Sequence, residues 1–229
     1  MSPLSISEIT RLLGKEYGRL RWRSHRDPIA ELILTTLSQN TSDHNSRRAF
    51  DSLIKRFGSW EAVAKGSVED IAEAIKMGGL ARVKAPRIKQ ILKQIKAERG
   101  SLDLAFLNEM PVAEAKAWLQ RLPGVGPKTA ACVLLFSLGK PVLPVDTHVH
   151  RVAKRLGLID SRVTAEKAHE ILGDMVPPKN VYQFHIHMIE HGRRVCKAQR
   201  PLCNQCTLLK GCPTGQRLLE AKFETEARA

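Results

Sequence analysis

Long apolar runs are missing from this chain. Nowhere in its 229 residues does a hydrophobic stretch approach the roughly 18 residues that a membrane-spanning helix needs. Met1-Ser2-Pro3 is not a basic start followed by an apolar block, so no secretory signal peptide is expected. No segment sustains period-two alternation, which argues against half-buried strands. Repeats and low-complexity tracts are absent as well. Acidic residues are scarce where bases gather. Between residues 76 and 99, Lys76, Arg82, Lys84, Arg87, Lys89, Lys93, Lys96 and Arg99 face Glu98 alone. These absences leave an all-α protein outside the membrane.

The chain is 43% hydrophobic, and its length suits one large domain or two small ones. Its net charge is +14 and its pI is near 9.9, which suits a polyanionic partner. An indifferent basic surface or an anionic membrane would give the same balance. The expected location is the cytoplasm, in association with the nucleoid. Disulfides are not expected in that reducing compartment. Of the five cysteines, four lie between positions 196 and 212, which suggests a metal or cluster site.

Helical periodicity recurs along the chain. A short amphipathic helix is expected from about Ser7 to Tyr17, followed by a basic connector. Ile29, Leu32, Ile33 and Leu37 share one helical face. Phe50, Leu53, Ile54 and Phe57 share another, with Gly58 as a stop. Ser67-Val68-Glu69-Asp70 reads as an N-terminal cap before Ile71 and Ile75. Ile88, Ile91, Leu92 and Ile95 form a stripe, and a helix comes next over 112–120. The segment from Lys128 to Leu138 is apolar nearly all round and should be a central buried helix, with Cys132 as a small core residue. Two prolines make 140–145 an extended connector. Helices are then expected near 147–156, 165–175 and 181–191, closed where Gly157 and Gly192 stand after the first and last. The polar tail after Pro213 should be a frayed helix or disordered.

Two features of residues 121–151 carry chemistry. Leu122-Pro123-Gly124-Val125-Gly126 is a Gly-rich hairpin that leads straight into the helix opening Pro127-Lys128-Thr129. The first turn of that helix leaves backbone N–H groups unpaired, its dipole adds partial positive charge, and the glycines let a bulky anion approach. Such a hairpin suits phosphate. Lys128 projects from the first turn, where the dipole disfavours a cation. A neutral amine is a nucleophile and an ammonium is not. Asp146 stands directly before Thr147-His148-Val149-His150-Arg151 and reads as an N-cap. Taken singly, Lys128 reads equally as a surface lysine, and Asp146 as no more than a cap.

The cysteines have the spacing Cys196-x6-Cys203-x2-Cys206-x5-Cys212. Four thiolates can bind zinc or hold a [4Fe-4S] cluster. Zinc sites more often use two close pairs, and here only Cys203 and Cys206 are close. Arg193, Arg194, Lys197 and Arg200 surround the first ligand with no acid between Arg193 and Arg200. A cluster pinning this loop would make a rigid phosphate-binding surface.

Together, LPGVGPKTA and PVDTHVHR resemble the helix–hairpin–helix, Gly/Pro-rich loop and aspartate signature of endonuclease III-type DNA glycosylases. The resemblance runs from about Asp27 to Cys212, and the cysteine spacing matches that family's [4Fe-4S] loop. It implies two helical domains. One is a contiguous barrel with the helix–hairpin–helix over 27–137. The other is a cluster domain of 1–26 plus 138–229, with DNA held in the cleft between them. By the same resemblance Lys128 is the nucleophile that attacks the sugar, and Asp146 assists it. Gly124, Val125, Gly126, His148, Lys197 and Arg200 contact DNA, while Cys196, Cys203, Cys206 and Cys212 hold the cluster in a structural role. Chemistry on a base in duplex DNA requires the nucleotide to be flipped out and the gap filled. The family fills it with a polar residue and an apolar wedge. Gln39 or Asn40 in Ser38-Gln39-Asn40-Thr41-Ser42-Asp43 would be the filler, and Leu80 in Gly78-Gly79-Leu80-Ala81 the wedge. The commonest family pattern has glutamine where Asn40 aligns, and Leu80 also reads as a core residue at a helix junction. The expected protein is a monomeric, bifunctional glycosylase and abasic-site lyase acting on oxidised or ring-fragmented pyrimidines in double-stranded DNA. The rivals are a monofunctional mismatch glycosylase, disfavoured by Lys128, and a non-catalytic DNA-binding protein.

Overall fold

The chain begins with α1 (Ile6–Tyr17), which Ser5 and Glu8 open with a reciprocal capping box. The computed structural model describes residues 4–226, with side chains to residue 221. Among them it contains helices, turns and extended connectors and no strand. After α1 come α2 (Pro28–Ser38), α3 (Asp43–Phe57), α4 (Trp60–Lys65), α5 (Val68–Ala74), α6 (Ala81–Arg99), α7 (Val112–Gln120) and α8 (Pro127–Cys132). Beyond these lie α9 (Thr147–Arg155), α10 (Ala165–Met175), α11 (Val181–Arg194) and α12 (Pro213–Glu226). No helix among the described residues is long and apolar enough to cross a membrane.

The helices divide into two units, one of residues 23–140 and one of the residues up to Trp22 with those from Pro141 onward. The limits lie a few residues outside 27 and 137 for a physical reason. The His25 N–H donates to Phe136 O at 3.0 Å, and the Lys140 ammonium donates to Asn108 O at 3.0 Å and Met110 O at 2.7 Å. Both ends of the segment are thereby tied into their own unit.

The core of the 23–140 unit is built from the anticipated stripes. Ile29, Leu32, Ile33 and Leu37 of α2 and Ile88, Ile91, Leu92 and Ile95 of α6 are buried. Gly58 ends α3 in a left-handed conformation, and the Ser67 hydroxyl accepts the Asp70 N–H at the start of α5. After Cys132 the axis of α8 continues as a π-helical segment, Val133–Ser137, and this run is buried throughout. The short α4 has no sequence pattern of its own beyond the Ser59 cap.

In the other unit α11 packs on both α1 and α9. One expectation is corrected here. Gly192 does not close its helix, because α11 runs on to Arg194. Gly192 serves close packing instead, since a Cβ there would stand 2.9 Å from the His148 Cβ. The segment after Pro213 is the helix α12, which runs to Glu226.

Candidate active site and nucleic-acid interface

In the 23–140 unit the hairpin between α7 and α8 is held from inside. Leu122 and Val125 are buried, and the Val125 N–H closes the turn on Leu122 O at 3.1 Å. Val125 therefore offers a ligand only its backbone. Gly124 has φ +72, and a Cβ there would lie 2.4 Å from the Arg87 side chain, so the position requires glycine. Gly126 has open space where a Cβ would be. The first intrahelical bond of α8 runs from Ala130 N–H to Gly126 O, so the preceding N–H groups have no helical acceptor. Lys128 is exposed one residue into this turn.

Gln39 is committed to supporting the hairpin. Its amide nitrogen donates to Gly124 O at 3.1 Å, and its oxygen accepts from the Arg87 guanidinium at 2.9 Å. Asn40, next to it, is exposed and left-handed at φ 53. Of the two filler candidates, Asn40 is thus the one whose side chain is not spent on the hairpin. Leu80 is also left-handed, at φ 53, and is 52% exposed, as is Val83 one turn later. That exposure rules out a core role for Leu80. The basic helix α6 needs a correction as well. Lys84 is only 2% exposed and belongs to the interior rather than to a polyanion-binding face. Its ammonium donates to Leu37 O at 2.6 Å and Gly78 O at 3.0 Å, and burial holds its pKa below the usual lysine range.

In the other unit Asp146 is the N-cap of α9. One oxygen, Oδ1, accepts the His148 N–H at 2.9 Å and the Val149 N–H at 2.8 Å. The His148 Nδ1 lies 3.1 Å from the Arg151 guanidinium, which also donates to Gly192 O and Cys196 O. Arg155 donates to the Cys196 thiol at 3.4 Å, to Lys197 O at 2.6 Å and to Ala198 O at 2.9 Å. One face of α9 thus braces the basic loop after α11. On that loop Lys197 and Arg200 are exposed, and Arg200 is left-handed at φ 48. His150 bonds Val163 O and serves a local structural tie.

Cys196, Cys203, Cys206 and Cys212 line one pocket together with Arg155, His191, Thr214 and mainly apolar residues. Among the described residues, no three such side chains converge on a single ion-sized point. Burial pushes the Cys206 thiol up to about 11 and raises Cys203 and Cys212 as well. His191 reaches Cys206 Sγ at 3.5 Å through Nε2, and its Nδ1 lies 3.1 Å from the Tyr17 hydroxyl. Cys132, in the other unit, is a buried core thiol.

The family model of the HhH-GPD superfamily base excision DNA repair proteins matches residues 33–178. The chain belongs to that superfamily. Endonuclease III of Thermotoga maritima is 38% identical over 209 residues, covering 90% of this chain and 92% of its own. A solved structure of a non-covalent endonuclease III–DNA complex superposes with a TM-score of 0.81 at 28% identity, over 94% of this chain and 97% of that one. A trapped covalent endonuclease III–DNA intermediate gives 0.79 at 28% identity, over 94% and 99%. In this HhH-GPD chain, sequence reasoning missed the Gln39–Arg87 brace, the Lys84 tether and the His191–Tyr17 pair. Each joins residues far apart in sequence. The only local signal was an isolated lysine between the apolar positions of α6.

Proposed function

We propose that this chain is a bifunctional DNA glycosylase and abasic-site lyase acting on duplex DNA that carries an oxidised or ring-fragmented pyrimidine. The observation that carries the reading is the exposed Lys128, one residue into the helix that succeeds the Gly124-Val125-Gly126 hairpin. The likeness to a trapped covalent endonuclease III–DNA intermediate supports a reaction through a covalent protein–DNA adduct. The Lys128 amine attacks C1′ of the flipped nucleotide. The C1′–N bond breaks, and the base leaves with the electron pair and takes up a proton. The sugar ring opens to a Schiff base on Nζ. Loss of a C2′ proton then expels the 3′ phosphate, so the strand is cut 3′ to the lesion. Asp146 keeps Oδ1 on the α9 cap and presents a carboxylate that accepts the amine's proton and stabilises positive charge growing on the sugar. Hairpin N–H groups, His148, Lys197 and Arg200 hold phosphates. Leu80 and Asn40 occupy the gap left by the flipped base.

The four clustered cysteines fit a [4Fe-4S] group. They line one pocket, and their spacing matches the [4Fe-4S] loop of the resembling family rather than the two close pairs common at zinc sites. Buried thiols resist ionisation, and an iron centre would supply the charge that stabilises their thiolates. With all four positions held by protein, its contribution is structural, fixing the basic loop that bears Lys197 and Arg200.

Incubation with an abasic duplex and borohydride tests the reading. A covalent protein–DNA adduct is expected, with base release and nicking on lesion-bearing duplexes. Base release without an adduct would favour the monofunctional rival, and neither product would favour a binding protein.

A further inference from the structure

Lys84 is the one charged residue among the largest fully buried side chains of the described residues. Burying an ammonium is costly unless its donors are satisfied. Here they meet two carbonyls, each at the C-terminal end of a helical segment. Leu37 O belongs to the last turn of α2, and Gly78 O ends the 3-10 turn Lys76–Gly78. Such carbonyls lack helical partners and carry the negative end of the dipole, so a cation suits both.

Each carbonyl lies just ahead of a residue assigned to the flipped-base gap. Asn40 comes three residues after Leu37, and Leu80 comes two residues after Gly78. The backbone of Lys84 holds the same loop again, because its N–H donates to Leu80 O at 2.9 Å. Asn40 and Leu80 are both left-handed and non-glycine, at φ 53 each. Asparagine tolerates that conformation, but a bulky leucine keeps it only where its surroundings over-determine it. Gly78 packs so closely on α3 that a Cβ would stand 2.8 Å from that of Ala49, and a Cβ on Gly79 would lie 3.8 Å from the Thr41 hydroxyl. The two loops are therefore neighbours, and Lys84 is the polar link between them.

We infer that Lys84 is a positioning residue for base flipping: its buried ammonium ties the α2 end that carries Asn40 to the loop that carries Leu80, so that filler and wedge enter the duplex as one preset unit. This rests on the reading of Leu80 and Asn40 as wedge and filler. The amine does not touch DNA. It fixes the spacing of two side chains whose task exists only in a duplex.

Lys84→Met keeps the aliphatic length and removes the link. Single-turnover base release is measured on a lesion in duplex and in single-stranded DNA, with Leu80→Ala and the double variant alongside and thermal unfolding as a control. Misplacing a site group by about 1 Å can cost up to about a hundredfold in rate. Lys84→Met is expected to slow duplex excision about tenfold or more and to leave single-strand excision within about twofold. The double variant should be slower on duplex than Leu80→Ala by less than the Lys84→Met factor alone, because the two losses overlap at the wedge. Equal loss on the two substrates, or a lowered melting temperature with an unchanged duplex-to-single-strand ratio, would overturn the inference. If Leu80→Ala shows no duplex-selective loss, the wedge reading fails first. If it does and Lys84→Met does not, only the link is wrong. Should Lys84→Met fail to fold, amide exchange in the wild-type protein decides. Thr41 and Gly79, whose N–H groups donate to Ser38 O and Lys76 O, should be protected together, and independent, rapid exchange of the two loops would overturn the link.

Discussion

Asp146→Asn separates the two tasks assigned to one carboxylate. The cap depends on Oδ1, which accepts two N–H groups at 2.9 and 2.8 Å. An asparagine oxygen can accept both, and Asn and Asp cap helices about equally well. What the fold loses is the charge at a helix N-terminus, about 0.3–1 kcal/mol. For a chain of this size that lowers the melting temperature by no more than about 2–4 °C. Asp146→Ala also loses the cap, a further cost of about 1 kcal/mol. The chemical loss is larger, because removing one preorganised electrostatic partner typically costs about 10²–10³ in rate, or about 3–4 kcal/mol. The expected signature is a nearly intact fold with excision down by at least about a hundredfold. Asp27 provides the control, since its Oδ1 caps α2 through the Ile29 and Ala30 N–H groups, both at 3.0 Å. Asp27→Asn should match the small stability loss and leave excision unchanged. Thermal unfolding, single-turnover base release and borohydride trapping are measured on all three variants. A drop of only a few fold for Asp146→Asn, equal to that of Asp27→Asn, would reduce Asp146 to a cap and refute the reasoning.

Three further outcomes are expected. Lys128→Gln keeps the helix and an exposed polar side chain, so it should still bind lesion DNA but neither nick nor be trapped by borohydride; normal trapping would assign the nucleophile to another amine. Purified protein should carry about four irons per chain with broad visible absorbance, and Cys203→Ser should lower iron content, solubility and DNA affinity together; one zinc and no iron would overturn the cluster assignment. DNA affinity should fall steeply with salt, and Arg200→Ala should lessen the slope of log affinity against log salt by about one unit if it neutralises one phosphate, whereas an unchanged slope would remove Arg200 from the interface.

Much of this protein was legible along the chain because the signals are local. A buried stripe such as Ile88, Ile91, Leu92 and Ile95 states its helix through spacing alone, and an aspartate before a helix declares its cap. The hairpin, Lys128, Asp146 and the cysteine spacing each lie within a few turns of chain. Gly124 was needed for a reason only the fold supplies, the approach of Arg87 from α6. Gly192 looked like a stop and proved to be a packing position, because His148 from α9 approaches it. Lys84 stands one turn before Ile88 on the apolar stripe of its helix, but nothing along the chain names its partners. Its burial, its two carbonyl partners and the left-handed loops beside them exist only once α2, α3 and α6 have packed. Periodicity states which face a helix buries. Only tertiary packing decides which carbonyls meet an amine 47 residues away.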